Sequence, residues 1–290
     1  MLTTDYLSHY PQQLVLATDL GARSDRALDR ALQLAAQWKA KLTVVHAFER
    51  PQAVLDEPSW RQPQDPGMAV QAQLEAELGA EITAAVSARV QPGRPSEVVL
   101  KVSEELSAGL IVTGIKRDGV FERALLGDTV TELARQAQVP VLVVKKRARK
   151  PYQRIVVATD LSAVSRVALA RALDLFGPES LVVFHAAHAH FASRMDDRVA
   201  YESELRIDAL KNCEEFIAEV AGERAAGIEV VVEYGEPDLL LEKYVADKQV
   251  DLVVVATQGR SGLLGVLLGS VATRILDSVP SDVLVVRAQA

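Results

Sequence analysis

The sequence predicts an α/β protein of two tandem doubly wound, Rossmann-like domains, each a five-stranded parallel sheet with helices on both faces. Three observations predict it. The first is an internal repeat: Gln13-Leu-Val-Leu-Ala-Thr-Asp-Leu20 returns as Arg154-Ile-Val-Val-Ala-Thr-Asp-Leu161, and Val44-Val-His-Ala47 as Val183-Phe-His-Ala186. Arg30-Ala-Leu32, Pro92-Gly-Arg-Pro95 and Val141-Leu-Val-Val144 have partners in Arg171-Ala-Leu173, Tyr234-Gly-Glu-Pro237 and Val283-Leu-Val-Val286. The second is that short Val/Leu/Ile runs alternate with longer segments of helical period in each half. The third is that those runs are apolar on both faces, as strands of a parallel sheet covered on both sides must be. Right-handed crossovers then give an open sheet whose ligand sits at the strand carboxyl ends, where the strand order reverses.

In chain order, the first half should place strands at 14–17, 42–46, 85–90, 110–114 and 141–145. The segment 50–67 carries Pro51, Pro58, Pro63 and Pro66 with Trp60. It should be neither regular helix nor central strand, but a stiff surface loop, a lid or a docking arm. The basic run Lys145-Lys-Arg-Ala-Arg-Lys150 before Pro151 reads as a solvated linker, dividing domains at 1–148 and 149–290. The second half should have strands at 154–158, 180–185, 228–233, 251–257 and 283–287. Its helices should fall at 165–176, 201–221, 239–246 and 270–278. Gly93-Arg-Pro95 and Gly235-Glu-Pro237 should turn the chain out of the third strand of each half, with proline early in the next helix.

Composition narrows the function. Of 290 residues, 49% are hydrophobic and 24% charged, with a formal charge of −7, as in a soluble globular protein. Net acidity argues against nucleic-acid binding, which needs a positive footprint. The single cysteine, Cys213, rules out an intramolecular disulfide and a cysteine metal cluster and suits a reducing compartment. No secretory signal precedes the first strand, and no apolar stretch approaches the ~20 residues of a membrane span. The expected location is the cytoplasm, with no membrane partner.

The sequence is most informative at Ala256-Thr-Gln-Gly259-Arg-Ser-Gly-Leu-Leu-Gly-Val-Leu-Leu-Gly269-Ser270. A strand precedes it and a helix follows from Ser270. Glycines let the backbone approach an anion, and the unpaired N–H groups of a helix start point at it. That is a phosphate cradle. The loop after the first strand (Ala158-Thr159-Asp160) and the end of the second (His185-Ala186) would meet the same ligand.

On these residues the chain resembles a tandem universal stress protein, and the likeness covers nearly all of both halves. ATP-binding members of that family carry glycine, two residues, glycine, nine residues, then glycine with serine or threonine. Here Ala256 replaces the first glycine, and Gly259 and Gly269-Ser270 follow at the family spacing. The resemblance implies an adenine-nucleotide-α-hydrolase-like fold. It places adenine near Ala186 and Ala256, ribose near Gly259, and phosphates on Gly269, Ser270 and Val271, with Arg260 the loop's cation. It sets Asp160, beside Ala158 and Thr159, near the ribose or a phosphate-bound Mg2+. It also implies that the last strands of the two halves pair across a pseudo-twofold axis. Two such chains could associate further as a homodimer.

The first half has Gly114-Ile-Lys-Arg117, nine residues, then Gly127-Asp128. Arg117 stands where close approach is needed, and Asp128 puts a carboxylate where a phosphate would lie. Like charges at ~4 Å repel by ~1 kcal/mol even in water. Asp128 should cap the helix, either alone or as an internal phosphate substitute paired with Arg117. The first half should not hold ATP well.

His185, His188 and His190 hold three of the five histidines and could ligate zinc with Asp196 or Asp197. Strand alternation would put His185 and His190 on opposite faces, which favours a loop beside the adenine site. The adjacent pairs Glu104–Glu105 and Glu214–Glu215 point apart on helices and read as solvated. No nucleophile elbow, Walker loop or His-Glu-x-x-His is present. Thr159 and Asp160 lack the several positioned charges that phosphoryl transfer needs. The expected function is stress-response regulation by adenine-nucleotide binding in the second half, with no catalytic residues and at most slow ATP hydrolysis. The alternatives are a weak ATPase or adenylate-handling enzyme, and a nucleotide-free module for an unknown protein partner.

Overall fold

A computed structural model describes residues 10–21, 24–48, 66–117, 124–187, 198–258 and 268–288. The chain divides into two compact units, Met1–Arg149 and Lys150–Ala290.

The first unit runs β1 (Gln13–Thr18), α1 (Asp25–Trp38), β2 (Lys41–Phe48), α2 (Pro66–Leu78), β3 (Val86–Pro92), α3 (Pro95–Glu105) and β4 (Leu110–Gly114). A short antiparallel pair follows, β5 (Lys116–Arg117) and β6 (Ala124–Leu125), then α4 (Asp128–Gln136) and β7 (Val141–Val144). Its strands lie in the order β3-β2-β1-β4-β7, all parallel. The second unit runs β8 (Ile155–Thr159), α5 (Ala163–Phe176), β9 (Leu181–Ala187), α6 (Arg198–Ala221), β10 (Glu229–Tyr234), α7 (Pro237–Asp247), β11 (Leu252–Gln258), α8 (Ser270–Ser278) and β12 (Asp282–Ala288). Its order is β10-β9-β8-β11-β12, again all parallel. The order reverses between β1 and β4 and between β8 and β11, so each unit has its crevice there.

The centres of these sheets are dry on both faces. Leu14, Val15 and Leu16 of β1, and Ile155, Val156 and Val157 of β8, have no exposure at all. Such strands cannot show polar alternation, which is why they read as continuous apolar runs. The helices cover them with one apolar stripe each. On α1 that stripe is Ala27, Ala31, Leu34, Ala35 and Trp38, the i, i+4, i+7 spacing of one helix face. Trp38 also stacks on Tyr10 with ring centroids 5.7 Å apart.

The Gly-x-Pro turns fall as the sequence predicts. Gly93 and Gly235 both sit at φ +140°, and Pro95 and Pro237 open α3 and α7. The backbone angle calls for glycine at both, and at Gly93 an added Cβ would also crowd Val98 at 3.1 Å. Several boundaries differ from expectation by one to three residues, and two of them are informative. Helix α6 begins at Arg198, three residues earlier than the periodicity suggests. Helix α2 begins at Pro66, inside the segment expected to be irregular, because a proline in the first turn loses no intrahelical bond. The rest of that segment, 50–65, lies outside the described residues.

Candidate functional site

The second unit's crevice opens into a cavity of about 850 Å³ at the carboxyl ends of β8, β9 and β11. Ala158, Thr159, Asp160, Ala186, Ala256 and Val271 all line it, together with His185. Gly269 is the N-cap of α8 and Ser270 its first residue, both exposed at the helix start beside Val271. The amides at this start have no intrahelical acceptor. Gly259 and Arg260 lie outside the described residues. So do His188, His190, Asp196 and Asp197; among the described residues no His/Cys/Asp/Glu cluster could hold a metal.

A tight turn after β8 sets the position of Asp160. The Leu161 amide donates to Thr159 Oγ1 at 2.9 Å, and Leu161 is held in the left-handed region at φ 63°. The Asp160 carboxylate then accepts from the Ser162 amide at 3.0 Å and from the Ser165 hydroxyl at 2.6 Å, both on Oδ1. Burial pushes the carboxyl pKa up, but the bonds from Ser162 and Ser165 outweigh it, and the net shift is below the usual aspartate value. Asp160 is therefore an anion at neutral pH, and it is the one charged group among the described residues of the wall. His185 Nδ1 lies 2.9 Å from the Thr159 carbonyl oxygen. A carbonyl only accepts, so Nδ1 carries the proton and a neutral ring keeps Nε2 as an acceptor.

The remaining walls are apolar. Phe184 and Val255 come from the strands, Leu241 from α7, Ala272 and Ile275 from α8. Sequence reasoning missed these because a residue walling a cavity and a residue filling a core have the same chemistry. Ser165 could have been found: the Asp160–Ser165 spacing recurs as Asp19–Ser24.

The first unit has a matching cavity of about 610 Å³. Its turn is built alike: Leu20 at φ 59°, the Leu20 amide on Thr18 Oγ1 at 3.1 Å, and Ser24 on Asp19 at 2.6 Å. His46 Nδ1 lies 2.9 Å from the Thr18 carbonyl oxygen. The helix start differs. Gly127 is the N-cap of α4, and Asp128 is its first residue, making no capping bond. The expectation that Asp128 caps α4 is thus corrected: its carboxylate answers the helix dipole from the first turn. The side chain of Arg117 lies outside the described residues, and with it any pairing to Asp128.

No helix among the described residues is long and apolar enough to cross a membrane. A family model described as the universal stress protein family matches residues 11–145 and again 151–287. A universal stress protein of Mycolicibacterium smegmatis is 28% identical, over 94% of this chain and 96% of that protein. One from Mycobacterium tuberculosis H37Rv is 29% identical over 72% of each chain. Among solved structures, a universal stress protein from Archaeoglobus fulgidus superposes with a TM-score of 0.64 at 21% identity, over 95% of this chain and 98% of that one. A functionally unknown protein from Pseudomonas aeruginosa PAO1 gives 0.66 at 21% identity, over 96% and 93%. At that identity these structures speak for the fold alone.

Proposed function

The chain belongs to the universal stress protein family through both of its halves, and from that premise we propose that it is a cytoplasmic regulatory protein whose second unit binds ATP. The observation that carries the reading is the convergence of Asp160, Ala186, Ala256 and the start of α8 on one cavity. Its volume of about 850 Å³ lies within the ~300–1,000 Å³ of ligand sites, and its walls have the usual character, mostly apolar with a few placed polar groups. The adenine lies against the apolar walls and the phosphates meet the amides of Gly269, Ser270 and Val271. Asp160 is the carboxylate for the ribose or for a magnesium ion carried in on the phosphates. At Gly269 φ is −57° and an added Cβ would meet nothing within 4 Å, as at Gly127 in the first unit, so the backbone of this helix start is open to a ligand.

The reading includes at most slow ATP hydrolysis, since strong phosphoryl transfer needs several positioned charges. The test is mass spectrometry of small molecules released on denaturation, beside calorimetric titration of ATP into wild type, Ser270→Asp and Gly269→Ala. ATP should bind wild type, fail on Ser270→Asp, and bind Gly269→Ala about tenfold more weakly. The stability of Gly269→Ala should stay within ~0.5 kcal/mol of wild type. A wild type with neither bound nor titratable nucleotide would overturn the reading and return attention to protein partners.

A further inference from the structure

The first unit retains the nucleoside side of the cavity and inverts the phosphate side. Thr18, Asp19, His46 and Ala47 stand where Thr159, Asp160, His185 and Ala186 stand in the second unit, with the same turn and the same histidine-to-carbonyl bond. Gly114 leaves more room than its counterpart Ala256. At the far end, Asp128 replaces Ser270 at the first position of the helix and lines the cavity itself. The described wall therefore carries two carboxylates, Asp19 and Asp128, and no lysine or arginine. Ile115 and Leu126 also line this cavity.

We propose that the first unit's cavity binds an uncharged or cationic nucleoside and turns nucleotides away. This rests on the reading that the strand-end cavity of the second unit receives a nucleoside. About 610 Å³ suffices for a base and a sugar. His46 donates through Nδ1 to Thr18, so when the ring is neutral its Nε2 is an acceptor for a base bearing an amino group. A phosphate at the sugar's 5′ end would face the Asp128 carboxylate, whereas an amine there would be attracted to it. At ~4 Å a unit charge shifts affinity about five-fold in water, and more in a half-enclosed cavity. The protein would then sense a nucleotide with one unit and its dephosphorylated or cationic relative with the other.

The test is calorimetric titration of the full chain with adenosine, 5′-amino-5′-deoxyadenosine and ATP. Wild type should take two equivalents of either nucleoside and one of ATP, with the amine favoured about five-fold or more at one site. Gly114→Leu, which fills the first cavity, should reduce the nucleosides to one equivalent and leave ATP at one. Asp128→Ser, at an exposed position, should abolish the preference for the amine and admit ATP to the first unit, giving an independent readout should Gly114→Leu fold poorly. A nucleoside stoichiometry that a folded Gly114→Leu leaves unchanged, or a preference for the amine that survives Asp128→Ser, would overturn the proposal. Loss of ATP binding with a Gly114→Leu-sensitive nucleoside site intact would sink the second-unit reading and leave this one standing.

Discussion

Leu20 and Leu161 occupy the left-handed region in both units, a conformation that costs a residue with a Cβ about 1–2 kcal/mol. Such strain persists where the surroundings over-determine it, and it clusters at sites. Here each strained leucine donates its amide to the threonine two residues before it, which turns the intervening aspartate back over the next helix. Ser165 then fixes the Asp160 carboxylate by a 2.6 Å bond. Ser165→Ala should raise the Asp160 pKa towards the ordinary value of ~3.9, read from the carboxyl carbon shift across an acid titration. The sign for stability follows. A carboxyl whose folded pKa is depressed contributes stability that is present above the unfolded pKa and lost as pH falls through the folded value. The wild type should therefore lose this contribution below the normal aspartate range, and the variant should lack Ser165's share of it, keeping that of Ser162. Asp160 is exposed to solvent, so the effect should stay below ~1 kcal/mol. An Asp160 pKa unmoved by Ser165→Ala would mean that Ser165 does not hold it.

At the scale of elements, the helix pair beside each cavity is held by opposite chemistry. In the first unit, Ser96 at the start of α3 donates to Glu132 of α4, and Arg94 joins the same carboxylate at 3.2 Å. In the second, Asp238 at the start of α7 faces Arg274 of α8 at 3.1 Å. The Asp238 side chain is only 14% exposed, and its Oδ1 is buried with no hydrogen-bond partner. Arg274→Glu should therefore cost about 1–3 kcal/mol, because it leaves an uncompensated, half-desolvated carboxylate. Adding Asp238→Ser reproduces the first unit's Ser96–Glu132 pairing and should recover most of that loss, a non-additivity that denaturant unfolding would read directly. Additive losses would show that the two positions do not interact. The same elements show what sequence can and cannot disclose. The strands were legible because burial on both faces leaves continuous apolar runs. Helix beginnings were less so: α6 starts three residues before its periodic stripe, and α2 starts on the proline that seemed to forbid it. At the cavity, Thr159, Asp160, Ala186 and Ala256 stood out because they end strands. Phe184, Leu241 and Ile275 did not, since nothing in an apolar side chain says whether the space before it is filled.

At the scale of the whole molecule, duplication supplies two frames and substitution makes them differ. The Thr-Asp-Leu turn, the histidine on the threonine carbonyl and the Gly-x-Pro turn are common to both units, and each serves the backbone. Among the positions that diverge, Gly114 and Asp128 line the first cavity and Ala256 the second, while Ser270 is exposed at the start of α8 beside it. Retention of the shared turns beside a changed charge at the helix start is what separate ligands would produce, whereas simple decay would reach the turns as well. It follows that ATP should stabilise one unit only. A ligand present at a hundred times its Kd adds about 2.7 kcal/mol to the structure that binds it. Hydrogen exchange of the full chain should then show opening free energies raised by up to that amount in β8, β9, β11 and α8. Amides of β1, β2, β4 and α4 should be unchanged. Adenosine at the same relative excess should protect both sets. Equal protection of both by ATP would mean that Asp128 does not exclude a phosphate, and the division of ligands between the units would fall.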